Sequence, residues 1–289
     1  MIFLKLTDLN TVKSLLSEFG AAPDKRYGQN FLISERVVDN IADKCGADED
    51  DGVLEIGPGI GVLTQKLCER YEKVVSVEID KKMVSVLGKT MSEYGNFTLI
   101  NDDILKVDLK ELLKAHFDGM KVTVCANLPY YITTPIIMSL LESDAGFENI
   151  TVMIQKEVAE RLTAKPATEA YGAITPAVQY YADAERLFTV PAGCFYPAPK
   201  VDSAVLRLKL RKKPEYEPKS RELMFEIIKY AFLQRRKTLV NALSADKSLD
   251  KSAIADAVKQ CGFDDRIRGE ALSILDFRRL SDAIYGNCN

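Results

Sequence analysis

The run Val53-Leu54-Glu55-Ile56 leads without a break into Gly57-Pro58-Gly59-Ile60-Gly61, and a helical stretch, Val62–Cys68, follows. A short buried strand, a glycine turn and a helix in that order open a doubly wound α/β unit. The rest of the first half keeps the alternation. Strands are expected at 74–79, 97–100, 122–126 and 150–155, with helices at 81–93, 108–114, 134–142 and 157–162. This spacing makes parallel βαβ crossovers, and such sheets bind ligands beyond the carboxyl ends of their strands. Glu55, Glu78, Asp103 and Asn127 all fall near such ends.

The glycine turn departs from the dinucleotide fingerprint, because Val62 stands where Gly or Ala is needed. Glu78 lies 17 residues past Gly61, at the end of the second strand, where an acid can grip a ribose diol. Gly57 and Gly59 permit close backbone approach, and Asp103 can accept from an adenine amine. No Lys-Ser/Thr follows the glycines, so the turn is not a triphosphate loop. S-adenosylmethionine fits these groups: it has adenine and ribose, no phosphate, and a sulfonium that tolerates an acidic rim. The rival reading, a purely structural turn, loses ground because two acids stand at the right strand ends.

Asn127-Leu128-Pro129-Tyr130 follows the apolar run Val122–Ala126 and reads as a strand opening into a tight turn. An amide side chain, the Leu128 carbonyl beside Pro129, and the Tyr130 ring suit a flat heterocycle with an exocyclic amine. Phe195, in Phe195-Tyr196-Pro197-Ala198-Pro199-Lys200, is expected to stack on the other face of that heterocycle. The two prolines keep this segment extended. The competing reading for Tyr130 and Phe195 is core packing, the usual fate of aromatics.

Elsewhere, residues 11–20 suggest an amphipathic helix, Lys25–Leu32 a basic-polar loop, and Ser34 a helix cap. Tyr171–Tyr181 is expected as a strand and Val201–Leu210 as an edge or antiparallel strand. A charged, proline-bounded linker spans 212–218, and helices are expected near 220–234, 237–244, 251–260 and 273–285. The expected organisation is therefore a helical extension (1–24), a catalytic domain (25–211) and a helical domain (212–289). Net charge is −3, yet Arg207–Asn241 holds eleven bases against four acids. A cluster against the global sign favours a polyanionic partner. Six scattered cysteines without a Cys-x-x-Cys pair read as reduced packing residues of a cytoplasmic protein. The single histidine, His116, lies among Leu112, Leu113 and Phe117 and reads as a helix-face residue. No signal peptide, membrane span or metal site is expected.

Taken together, KRYGQNFL (25–32), EIGPGIGVLT (55–64), VEID (77–80), NLPYYI (127–132), QKEVA (155–159), FYPAPKVDSAV (195–205) and RRKTL (235–239) resemble the KsgA/RsmA family. These are ribosomal RNA adenine N6,N6-dimethyltransferases. The resemblance implies a Rossmann-like, seven-stranded S-adenosylmethionine-dependent methyltransferase sheet with a small all-α C-terminal domain. It implies as substrate two adjacent adenosines in the 3′-terminal hairpin loop of 16S ribosomal RNA, within the small subunit or its precursor. By motif position it assigns cofactor contacts to Asn30, Leu32, Gly57, Glu78, Asp103 and Asn127. Asp103 is preferred over Asp102 because Asp103-Ile104-Leu105 fits the family register. The catalytic group is then Asn127, Leu128, Pro129, Tyr130 and Phe195, with Lys200, Arg235, Arg236 and Lys237 on RNA phosphates. Arg235–Lys237 are expected on the same side as the active cleft, and the protein is expected to be a monomer. The rivals are a resistance-type methyltransferase of large-subunit ribosomal RNA, a DNA adenine methyltransferase and a ribosome-assembly binding factor. Phe195–Val205 and Leu128 fit the small-subunit branch better.

Overall fold

The alternating apolar runs of the first half form the centre of one sheet in a computed structural model, which describes residues 4–24, 28–212, 217–245 and 250–288. The expected loop residues Lys25-Arg26-Tyr27 and the linker centre, 213–216, lie outside that set. The first elements are α1 (Leu9–Glu18), β1 (Phe31–Leu32), α2 (Glu35–Asp43), β2 (Gly52–Ile56), α3 (Val62–Cys68), β3 (Lys73–Val77), α4 (Lys81–Thr90) and β4 (Phe97–Ile100). There follow α5 (Leu109–His116), β5 (Val122–Asn127), α6 (Thr133–Glu142), β6 (Asn149–Gln155), α7 (Lys156–Leu162) and α8 (Ile174–Tyr181). Then come β7 (Ala182–Val190), β8 (Phe195–Tyr196), β9 (Ser203–Leu210), α9 (Arg221–Leu233), α10 (Leu239–Leu243), α11 (Lys251–Gln260) and α12 (Ile274–Cys288).

Seven strands pair in the order β4-β3-β2-β5-β6-β9-β7. The first five run parallel, and β9 is antiparallel to β6. The chain builds outward from β2 through β3 to β4, then returns to add β5 and β6 on the other side. That reversal opens a crevice at the carboxyl ends of β2 and β5, where doubly wound sheets bind ligands. All five residues of β2 are buried, as are Val122–Ala126 of β5. Strands covered on both faces read as apolar runs rather than as alternation.

Short side chains fix the helix starts. Asp80 accepts from the Lys82 amide, Asp108 from the amides of Lys110 and Glu111, and Ser220 from that of Leu223. Ser34 stands at the start of α2 but makes no capping bond.

The chain forms two compact units, Met1–Ala159 with Glu185–Leu210, and Glu160–Ala184 with Arg211–Asn289. Residues 160–184 therefore group with the C-terminal helices, not with the continuous 25–211 segment expected from sequence. In that second unit Tyr171 is fully buried, donates its hydroxyl to the Leu272 carbonyl at 2.7 Å, and lies 5.7 Å from the Phe232 ring. Tyr180 meets Phe225 edge-on at 5.5 Å. Its core also takes Ile227 and Ile228 of α9, Leu243 of α10, Val258 of α11 and Phe277 of α12.

One strand expectation changes. Tyr171–Tyr181 contains helix α8, whose Thr175, Ala177, Val178 and Tyr180 are buried. Its Tyr, Thr and Val residues favour strand locally, but tertiary burial overrides that preference. Pro176 lies in the first turn, where its missing N–H costs little. The strand expected at Val201–Leu210 is β9, antiparallel as one of its two readings had it and interior, while β7 takes the edge. In β7, Glu185 and Arg186 stand adjacent and exposed, which blurs the period of two.

Candidate active site

One cleft, of about 1030 Å³ including its open mouth, lies at the carboxyl ends of β2, β3 and β5. Asn30, Leu32, Gly57, Gly59, Glu78, Asp102, Asp103, Asn127, Leu128, Pro129 and Tyr130 all line it. Every residue assigned to the cofactor from sequence is thus brought to one place.

The glycine turn is built for close approach. Gly57, Gly59 and Gly61 all have positive φ, at 66°, 59° and 92°. Left-handed backbone of this kind favours glycine. A Cβ added at Gly57 would meet nothing within 4 Å, although the residue lines the cleft. At Gly61 it would lie 3.0 Å from the Met91 sulfur. Gly57 therefore leaves room for a ligand, whereas Gly61 leaves room for the protein itself.

Glu78 is 5% exposed and is held at both oxygens, accepting from the amides of Gly59 at 3.1 Å and Asp80 at 2.9 Å. Burial pushes its carboxyl up to about 7, with a further push from Asp80, and the amide bonds oppose the shift. Glu55 is deeper, at 1% exposed, and accepts from the hydroxyls of Thr64 at 2.7 Å and Ser76 at 2.8 Å. Burial raises it to about 7 as well. Of the two neighbouring acids, Asp103 is half-buried and accepts from the Leu105 amide at 3.1 Å. Asp102 is exposed and accepts from the Asp103 amide at 2.7 Å.

At the end of β5, Asn127 donates from Nδ2 to the Asn30 carbonyl at 3.3 Å. That bond orients the amide and leaves Oδ1 with no hydrogen bond among the described residues. The Leu128 amide donates to the Met153 carbonyl at 3.1 Å, while nothing in the described chain bonds the Leu128 carbonyl. The Pro129 carbonyl is already used, accepting from the Thr133 hydroxyl at 3.0 Å and the Ile132 amide at 3.3 Å. So two acceptors stay available in the turn, on Asn127 and Leu128. Tyr130 is half-buried, its hydroxyl bonded to that of Ser203 at 2.6 Å, and burial raises its pKa.

Phe195 is placed differently from the expectation. It is 3% exposed, packs in the same core as Phe31 and Leu32, and is not among the residues lining the cleft. β8 pairs with β1, setting Phe195 opposite Leu32 and Tyr196 opposite Phe31. Of the two readings weighed for this ring, core packing holds, and its work is to anchor the strand that carries Leu32. Lys200, Arg236 and Lys237 are exposed. Arg235 is exposed too, but its guanidinium donates to the Tyr171 carbonyl at 3.0 Å and to Glu270 at 3.3 Å. The basic stretch is also less free than its composition suggests. Arg207 pairs with Glu185 at 3.0 Å and Arg211 pairs with Asp183, acids that lie outside the window counted.

Sequence reasoning passed over Gln29, Asp80, Thr64, Ser76 and Ser203. Gln29 and Asp80 stand inside motifs that were noticed, but their roles depend on partners far away in sequence. Thr64 and Ser203 also stand inside such motifs and depend on their partners in the same way, while Ser76 lies outside them all.

The strand order and the cleft at its switch point define a Rossmann-like α/β protein that takes its ligand at the strand ends. The family model for ribosomal RNA adenine dimethylase matches residues 22–284, and the chain belongs to that family. Ribosomal RNA small subunit methyltransferase A of Lachnoclostridium phytofermentans is 47% identical over 282 residues, covering 96% of this chain and 97% of the relative. The protein of that name from Shouchella clausii is also 47% identical, over 94% of this chain and 93% of the relative. Among solved structures, a dimethyladenosine transferase from Plasmodium falciparum matches with a TM-score of 0.73 at 26% identity, over 86% of this chain and 95% of that one. The 23S rRNA methyltransferase ErmE matches with a TM-score of 0.68 at 25% identity, over 89% of this chain and 100% of that one.

Proposed function

We propose that this enzyme transfers methyl groups from S-adenosylmethionine to N6 of two adjacent adenosines in the 3′-terminal hairpin loop of 16S ribosomal RNA. It would do so in the cytoplasm, as a monomer, during small-subunit assembly. The observation that carries the reading is the meeting of two unused acceptors, on Asn127 and Leu128, with Glu78 and the glycine turn in a single cleft.

The residues suit the cofactor. Gly57 offers space that a Cβ would fill, Glu78 offers a carboxylate for a diol, and Asp103 offers an acceptor for an adenine amine. Asn30, Leu32 and Gly59 complete the walls. When bound, S-adenosylmethionine supplies a methyl group already activated by its sulfonium.

The difficulty lies in the acceptor, whose N6 lone pair is delocalised into the purine ring. Asn127 Oδ1 and the Leu128 carbonyl would accept from the amine hydrogens and favour a more tetrahedral, nucleophilic nitrogen. Tyr130 would stack against the base. Placement and preorganised dipoles would then carry the rate without a strong general base. Extruding the adenine costs a few kcal/mol, and aromatic stacking returns about 1–3 kcal/mol. After the first transfer a single hydrogen serves both acceptors.

Incubating the protein with methyl-labelled cofactor and undermethylated small subunits, then mapping the label, tests the reading. Label is expected on two adjacent adenosines of the 3′-terminal hairpin. Label on large-subunit RNA instead would favour the activity named for ErmE. The small-subunit reading rests on relatives at 47% identity, against 25% for ErmE.

A further inference from the structure

The side chain of Gln29 makes a bridge that the reaction as described does not use. Its Nε2 donates to Asp80 Oδ2 at 2.8 Å, across 51 residues of sequence. Its Oε1 accepts from the Asp24 amide at 2.9 Å, and its own amide donates to the Asp24 carbonyl at 3.3 Å. Gln29 lines the cleft, beside Gly28 and Asn30.

Asp80 is the other half of the device. Its backbone amide holds one oxygen of Glu78, at 2.9 Å. Its Oδ1 caps α4 by accepting from the Lys82 amide at 2.9 Å, which leaves Oδ2 for Gln29. One residue thus connects the carboxylate assigned to the ribose with the segment that carries Asn30 and Leu32. Asn30 in turn accepts from the Asn127 amide, so the chain of bonds runs from Glu78 through Asp80 and Gln29 to Asn127.

We propose that Gln29 is a positioning residue, whose bridge to Asp80 fixes the 28–32 segment beside Glu78 and thereby sets the affinity of the cleft for S-adenosylmethionine. The inference rests on the cofactor reading given above. A bridge between neutral amide and carboxylate has a property that packing lacks: it can be rebuilt with the groups exchanged. Gln29→Glu sets two carboxylates against each other, whereas Gln29→Glu with Asp80→Asn restores an amide donor facing a carboxylate. Asn also caps helices well, so α4 keeps its start.

The test is calorimetric titration of S-adenosylhomocysteine into the full-length protein and its variants, with steady-state methylation alongside. Gln29→Ala is expected to weaken binding about tenfold and to raise the cofactor KM, with kcat at saturation within about twofold. Gln29→Glu is expected to weaken it further, and the double variant to return to within about threefold of the parent. Unchanged binding in Gln29→Ala, or a double variant no tighter than the two single effects combined, overturns the proposal. If the parent protein itself fails to bind S-adenosylhomocysteine, the cofactor reading falls and this inference falls with it.

Discussion

Asn127 and Glu55 show how differently two polar groups at strand ends can work. The Asn127 amide is oriented from behind by Asn30 and keeps its oxygen for a ligand. Asn127→Ala is therefore expected to lower methyl transfer at least 100-fold, of the order seen when a preorganised donor or acceptor is removed, while the protein stays folded. Cofactor binding, measured separately, is expected to fall far less. Near-parental turnover would remove Asn127 from the chemistry. Glu55 instead stores an electrostatic cost. Its carboxyl ionises near 7 in the folded protein, above the usual range, so the native state holds a proton that the unfolded chain has already released. Stability from this group accordingly falls as pH rises from about 4.5 through 7. Glu55→Gln removes the ionisation, and urea denaturation at pH 8 is expected to find it more stable than the parent by on the order of 2 kcal/mol. The difference should shrink towards pH 5, and a gap that grew on acidification would contradict this account.

At the scale of elements, the glycine turn separates the needs of folding from those of binding. Gly61 has φ of 92° and faces Met91, Leu87 and Thr90 at 3.0–3.2 Å. Gly61→Ala is expected to cost about 1–3 kcal/mol of stability, through strained backbone and displaced neighbours. Gly57→Ala meets no protein atom and is expected to cost about 1 kcal/mol, yet to weaken S-adenosylhomocysteine binding by tenfold or more. Thermal melts and calorimetry on the pair separate the two effects, and equal losses in both assays would refute the distinction. Four of the five parallel strands, β2, β3, β5 and β6, were legible in sequence because burial writes a largely apolar run, as in Val122–Ala126, and the edge strand β4 because Phe97, Leu99 and Ile100 stand together. α8 and β7 were not, because a helix rich in Tyr and Val resembles a strand and a charged edge strand resembles a loop. The cleft was legible through Glu78, Asp103 and Asn127, each marking a strand end. Phe195 was expected on the base because it opens an extended, proline-bounded segment, whereas in the folded chain that segment pairs with β1 and the ring is buried.

For the molecule as a whole, charge must be counted after pairing. Arg207, Arg211 and Arg235 are engaged by acids or carbonyls of the protein, so Arg236 and Lys237 remain the better candidates for phosphate contact. Changing both to Glu is expected to weaken binding of small-subunit RNA and to flatten its salt dependence by about two in slope, leaving the melting temperature near the parent's. Arg235→Ala is expected to destabilise the protein first, since it strips a donor from the Tyr171 carbonyl. Filter binding across salt concentrations, beside thermal melts, checks both statements, and an unchanged slope in the double variant would remove these two residues from the RNA contact.

The interleaved make-up of the second unit bears on how the chain is made. Tyr171 and the Leu272 carbonyl that receives its hydroxyl are 101 residues apart. At a synthesis speed of about 5–20 residues per second, the first of these is synthesised roughly 5–20 s before the other. Until then the nascent 160–184 stretch lacks the C-terminal helices that cover Tyr171 and Tyr180 in the finished protein, whereas the parallel strands ahead of it already have their partners.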